Sequence, residues 1–347
     1  MDGFGTAFDR RSLLSRMAGA GLAIPLVGFA ATQIAHAQDA TSTPPGAGVG
    51  SGGVQPGTGA STPAPQTPTP FVRADPILAS IQAGPKQITI TAKETTVYIA
   101  KDVAYAGWSF DGSIPGKPIR VAVGDEVTLT VRNEAKMGHS LDTHAAQTPP
   151  NINYPIVNPG EEYTWKFTSG YPGAFMYHCG TPPVLMHIGA GMYGAMIVDP
   201  ASGWSPAQEV VLVQSEFYVA DGGNGVMTPD FAKMMQYGAL DYCVFNGYAN
   251  QYVEEPISVK VGEPIRIFVV NAGPNVWSSF HVVGAIFDAV YVNANPANKL
   301  VGLQSFSIGP GDGACFELTI QQPGTYAAVN HAFGHAQHGA IALLKAT

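Results

Sequence analysis

Ile119-Arg-Val-Ala-Val-Gly-Asp-Glu-Val-Thr-Leu-Thr-Val-Arg-Asn133 alternates apolar and polar residues on both sides of Gly124-Asp125. A period of two puts one face of each strand in a core and the other in water, and Gly-Asp supplies the turn. The stretch therefore reads as half-buried antiparallel strands. Gln87-Ile-Thr-Ile-Thr91 alternates in the same way. The pattern then returns as Ile257-Ser-Val-Lys-Val-Gly-Glu-Pro-Ile-Arg-Ile-Phe-Val-Val-Asn271. A second echo follows each copy: Pro159-Gly160 and Pro172-Gly173, then Pro310-Gly311 and Pro323-Gly324, with the same internal spacing. An internal repeat of this length is one β-sandwich written twice. The expected fold class is all-β, two tandem Greek-key β-sandwich domains over 71–203 and 204–347.

The rest of the composition agrees with this reading and excludes others. Only 12% of the 347 residues are charged, while 41 Gly and 28 Pro supply many turns, which favours short strands over long charged helices. The net charge is −8 and no basic run occurs, so no nucleic-acid partner is expected. Three cysteines are too few for a disulfide framework. Cys243 and Cys315 lie in apolar, strand-like runs and read as buried free thiols, a disulfide between them being the alternative. Residues 1–37 read as a twin-arginine export signal: Arg10-Arg11-Ser-Leu-Leu14, an apolar run from Ala18 to Ala31, and a small-x-small cleavage site at Ala35-His-Ala37. An uncleaved anchor is the alternative. Residues 38–70, nearly all Thr, Ser, Pro, Gly, Ala and Gln, have too little apolar content to fold and read as a tether. Thr228 and Pro229 are placed as the cap and first residue of a short helix running to Met235.

The chemistry gathers around Ala174-Phe-Met-Tyr-His178-Cys179. Neighbouring side chains on a strand point to opposite faces, so His178 and Cys179 can serve two different metals joined by a short covalent path. Taken singly, Cys179 reads as a small buried apolar residue and His178 as a loop cap; the ordered set around them favours ligation. Downstream, Cys179-x7-His187-x4-Met192 follows, and upstream stands His139-Ser-Leu-Asp142-Thr-His144. One thiolate, two imidazoles and a thioether (His139, Cys179, His187, Met192) suit a trigonal copper with a weak axial methionine. The remaining imidazoles, His144, His178 and His331, suit a second metal with an open position for a small ligand. Asp142 and His281 stand beside them as candidate proton donors. The bland alternatives are a turn residue for Asp142 and a core histidine for His281. His335 and His338 read as structural or solvated.

These residues resemble the motifs of the copper-containing nitrite reductases over about 80–347. His139-x-x-Asp142-x-His144, Tyr-His178-Cys179, His187-x4-Met192, Phe-His281-Val-Val-Gly and Val-Asn-His331 match in order. The resemblance implies two cupredoxin-like domains per subunit in a homotrimer, with two coppers per subunit. His139, Cys179, His187 and Met192 would bind type 1 copper. His144 and His178, with His331 of a neighbouring subunit, would bind type 2 copper. Asp142 and His281 would deliver protons, and Val283 would crowd the nitrite pocket. The implied reaction is dissimilatory reduction of nitrite to nitric oxide in the periplasm. A small soluble donor, a cupredoxin or a c-type cytochrome, would supply the electron. The tether is a departure from the family core.

Two rivals are weighed. A two-domain laccase-like multicopper oxidase resembles a set of four His-x-His pairs; this chain has none, and Gly180 follows Cys179. A type 1 copper electron-transfer protein would need neither His144, His331, Asp142 nor His281.

Overall fold

The computed structural model describes residues 67–80 and 84–347. The expected signal and the expected tether up to residue 66 lie outside the described residues. Thr69, inside the range expected for the tether, already donates its backbone N–H to Thr96 O at 3.0 Å.

Eight strands come from the first copy: β1 (Lys86–Ala100), β2 (Val103–Phe110), β3 (Ile119–Ala122), β4 (Glu126–Asn133), β5 (Asp142–Thr143), β6 (Glu162–Thr168), β7 (Gly173–His178) and β8 (Tyr193–Asp199). Thirteen follow: β9 (Gln208–Phe217), β10 (Val219–Asp221), β11 (Val226–Pro229), β12 (Tyr242–Phe245), β13 (Glu255–Val259), β14 (Pro264–Gly273), β15 (Ser278–Val282), β16 (Ala289–Val292), β17 (Lys299–Leu300), β18 (Ser305–Ile308), β19 (Gly313–Thr319), β20 (Gly324–Asn330) and β21 (Ile341–Ala346). Helices are short: α1 (Pro150–Asn153), α2 (Val184–Gly189), α3 (Phe231–Met234), α4 (Gln251–Glu254) and α5 (Phe333–Gln337). Among the described residues no helix is long and apolar enough to cross a membrane.

The sheets run in the orders β10-β11-β2-β1-β4-β6 and β3-β8-β7-β5, then β12-β9-β14-β19-β16-β17 and β13-β21-β20-β15-β18. Two sandwiches result, as the repeat predicts. The wholly antiparallel expectation does not hold: β1 pairs with β4, β3 with β8, β14 with β9 and β13 with β21 in parallel. Alternation reports which face of a strand is buried, not the direction of its neighbour, and Greek-key connections bring strands distant in sequence side by side. The first sheet also takes two strands from beyond residue 203, since β11 pairs with β2 through Val226–Ala104 and Met227–Tyr105.

Three large apolar clusters fill the layers among the described residues, beside a small one of Ala104, Ala106 and Val226. One holds Val127, Leu129 and Val131 of β4 with Trp108, Cys179 and Met192. One lies inside the second sandwich, around Ile265, Ile267 and Val269 of β14. The third joins the two halves, packing Met176, Tyr193 and Ile197 against Val213, Phe268 and Val270. Strand β14 is therefore buried on both faces, whereas its counterpart β4 keeps Arg132 exposed. That difference explains why the second copy reads Ile-Arg-Ile-Phe-Val-Val where the first reads Val-Thr-Leu-Thr-Val-Arg. Within β14, Arg266 is only 1% exposed, and it is held by Glu317 at 2.6 Å and Glu209 at 2.8 Å. A buried guanidinium needs such paired carboxylates.

The short helix near 230 forms, but its start differs from the expectation. Thr228 and Pro229 close β11, and Asp230 is the cap, its carboxylate accepting Lys233 N–H at 3.0 Å. Asp is as strong a cap as Thr, and the pairing of β11 with β10 takes up Thr228. Cys243 and Cys315 are buried free thiols.

Candidate metal centres

The first donor set is assembled from two connections, β4–β5 and β7–β8. His139 follows β4 and exchanges both backbone hydrogen bonds with Val157, at 3.1 and 2.8 Å. Cys179 stands one residue beyond β7, and His187 lies in α2. Met192 closes the circuit: its N–H donates to His187 O and its carbonyl accepts Cys179 N–H, both at 3.1 Å. All four side chains are 0% exposed. Cys179 Sγ lies 3.2 Å from His187 Nδ1 and 3.7 Å from His139 Nδ1, and the two Nδ1 atoms are 3.1 Å apart. Burial holds His187 down to about 4, and burial with His187 beside it holds His139 down to about 3. Both rings are therefore neutral, the form that offers a lone pair. Burial also pushes the Cys179 thiol up, against a hydrogen bond from Ser140 N–H at 3.4 Å. The Nε2 atoms of His139 and His187 have no partner, so neither ring is oriented by a bond on its far side. Two imidazole nitrogens and a sulfur, all buried and facing one another, fit a soft cation.

The second set stands on the other face of the same strand end. Asp142 pairs across β5–β7 with His178 in register, and His144 N–H donates to Met176 O at 3.0 Å. His178 Nδ1 lies 3.0 Å from Cys179 O and His144 Nδ1 lies 3.1 Å from Gly311 O. A carbonyl only accepts, so both Nδ1 atoms carry the proton and both Nε2 atoms carry lone pairs. Those two Nε2 atoms face each other at 3.2 Å. Opposed lone pairs repel unless a cation lies between them, so the geometry fits a metal. Asp142 Oδ2 is 3.9 Å from His178 Nε2. Burial lowers the His178 pKa, and the hydrogen bond to the Cys179 carbonyl and the adjacent Asp142 only partly offset this.

His331 is not in this group. It is exposed, just past β20, with its N–H on Ser279 O at 2.7 Å and its ring 5.2 Å from that of His281. His281 Nδ1–H donates to Gln304 O, which leaves Nε2 free to act. Val283 stands 44% exposed at the end of β15, with its N–H on Ala327 O. The chain thus brings together Asp142, His144 and His178 in one place and His281 and His331 in another. His335 is beside Asn330 Nδ2, and His338 Nδ1–H donates to Asp241 O at 2.7 Å. Both serve the scaffold.

Sequence reasoning missed Trp108, whose ring is 4.8 Å from His187 and 5.7 Å from His139. It also missed Gly311. Its φ is +83°, and an added Cβ would come 3.3 Å from His144 Cε1. Its counterpart in the first copy, Gly160, has φ +81° and open space around it. The signal was present in the repeated Pro-Gly pair, but only the fold shows that one of the two turns abuts a histidine.

Two sandwiches carrying a Cys-His-His set and an imidazole pair, back to back on adjacent residues, define a copper protein of the cupredoxin type. Residues 91–203 match the family described as multicopper oxidase. A copper-containing nitrite reductase from Neisseria meningitidis is 35% identical over 269 residues, covering 75% of this chain and 68% of the relative. The solved copper nitrite reductase from Nitrosomonas europaea superposes with a TM-score of 0.71 at 39% identity, covering 76% of this chain and 94% of that one. A copper-containing nitrite reductase from Thermus scotoductus gives a TM-score of 0.70 at 35% identity, covering 76% and 62%. The chain belongs to the copper-containing nitrite reductase family.

Proposed function

We propose that this protein reduces nitrite to nitric oxide, taking one electron and two protons per nitrite and releasing water. The observation that carries the reading is the His178–Cys179 junction. His178 Nδ1–H donates to Cys179 O at 3.0 Å while the two side chains face different donor sets. Copper bound at these sets supplies one-electron storage at the first and an open position for nitrite at the second. His139, Cys179, His187 and Met192 are assigned to the first, type 1, set. Their complete burial excludes water and holds the donors in one geometry, so electron transfer need not reorganise them. His144 and His178 are assigned to the second, type 2, set with His331 of a neighbouring subunit, two coppers per chain in all.

Asp142 and His281 handle protons. Asp142 is about one-quarter exposed on its side chain and stands beside His178, so Oδ2 can take a proton from water and pass it to a bound ligand oxygen. His281, fixed at Nδ1 by Gln304 O, presents Nε2 to the same task. Removing a positioned acid or base costs about 10²–10⁴ in rate. Asp142→Asn and His281→Ala are expected to lose turnover in that range with the visible band intact; near-normal turnover in either returns that residue to a structural role. Val283 is assigned to the rim of the nitrite pocket.

A small soluble donor, a cupredoxin or c-type cytochrome, delivers the electron. Residues 1–37 direct export to the periplasm, 38–70 form the tether, and 71–203 and 204–347 are the two domains of a subunit that assembles as a homotrimer. The deciding experiment is copper analysis together with nitrite-dependent nitric oxide formation on the mature protein. Two coppers per chain and nitric oxide are expected. Four coppers with oxygen consumption point to a laccase-like oxidase, and one copper without turnover to a carrier.

A further inference from the structure

Three buried side-chain amides cross the core of the second sandwich. Asn271 of β14 lies opposite Gln214 of β9, and Gln214 Nε2 donates to Asn271 Oδ1 at 3.3 Å. Asn330, at the end of β20 in the facing sheet, donates through Nδ2 to Gln214 Oε1 at 3.1 Å. All three residues are 0% exposed. A polar chain in an apolar core persists only when its members are paired, and paired amides then fix one arrangement of the elements they join.

The two ends of this chain reach the two parts that the second sandwich presents to type 2 chemistry. At one end, Asn271 O accepts Gly311 N–H at 2.7 Å and Asn271 N–H donates to Asp312 O at 2.9 Å. Asn271 Nδ2 also donates to Ile308 O at 3.1 Å, so the loop is held from both sides. Gly311 O in turn accepts the hydrogen bond from His144 Nδ1–H. At the other end, Asn330 Oδ1 accepts the N–H groups of Ser279 and Ala332, at 3.0 and 3.1 Å. Those bonds bracket His331, whose own N–H is on Ser279 O.

The first copy provides an internal control. Asn133 also holds a turn there, accepting Gly160 N–H at 2.8 Å and donating to Val157 O at 2.8 Å. Its strand partner, however, is Ala92, which cannot extend the chain. The extension exists only in the copy that carries Gly311 and His331.

We infer that Asn271, Gln214 and Asn330 are positioning residues for the type 2 centres, holding as one unit the Gly311 carbonyl against the chain's own His144 and the strand end whose His331 serves a neighbour's centre. This rests on the functional reading above. Gln214→Met keeps the volume and removes both side-chain bonds. In the copper-loaded trimer the visible type 1 band is expected to stay, while the type 2 electron paramagnetic resonance signal changes shape. Loss of a partner behind a metal ligand typically costs ~10–100-fold in metal affinity, and chelator competition for the second copper should read a weakening of that size. Asn330→Ser breaks the link to Gln214 from the other end and decides the matter where Gln214→Met gives no folded protein. Unchanged type 2 affinity and resonance, or parallel loss of both coppers, overturns the inference. Wild-type protein measured alongside with a single copper sinks the functional reading itself.

Discussion

Cys179→Ala protein is expected to be colourless and inactive with a protein donor, yet still able to hold copper at the second set. The sulfur is the only thiolate candidate in the first set, and it stands within 3.7 Å of both imidazole nitrogens. Without it two neutral imidazoles and a thioether remain, a poor and spectroscopically different site. The second set should survive because its link to residue 179 is the backbone carbonyl, which alanine keeps. His178 Nδ1–H still has its acceptor, so Nε2 still presents its lone pair. A buried point substitution of this kind costs about 1 kcal/mol, small against a folding free energy of about 5–15 kcal/mol. The measurement is visible absorption, copper count and turnover on one preparation. Persistence of the intense band would remove Cys179 from the type 1 assignment.

The second large effect is a rescue. His331→Ala chains and His144→Ala chains should each be inactive alone and regain activity when assembled together. Within one chain His331 keeps company with His281, while His144 and His178 form a separate pair with Asp142. An open two-imidazole site on one copy and an exposed histidine on another are complementary surfaces. A heterologous interface between them closes into a ring if the rotation allows it. In mixed rings some interfaces join an intact His331 to an intact His144 and His178. Activity appearing only after mixed assembly supports a shared site. Mixed rings that form but stay inactive would falsify it.

Much of this was legible before any coordinates. Tyr177-His178-Cys179 announces two sites because strand neighbours diverge, and the structure places the two side chains in different clusters. Alternation in Ile119–Asn133 locates β3 and β4 because only one face of each is fully buried. The same logic weakens in the second copy, where β14 is covered on both faces and the apolar run is continuous. Strand direction was illegible, since Gln87 alternates alike beside a parallel or an antiparallel neighbour. Residues acting through distant partners were illegible too. Gln214 is an unremarkable amide in an apolar run until Asn271 and Asn330 are seen to flank it. Asp230 lost to Thr228 as the expected cap because nothing local says that Thr228 belongs to a strand.

The strand β11, set against β2, has a consequence for the handling of the chain. A fragment ending near residue 203 would keep every proposed type 1 ligand, but it would lose Val226–Pro229 and leave the β2 edge bare. An unpaired edge invites pairing with another chain. The first copy therefore does not close as a sandwich on its own residues alone, whatever pattern it shares with the second. Fission at the junction should give a sticky fragment rather than a small blue protein, and a cut moved to follow Pro229 would instead take β9 from between β12 and β14.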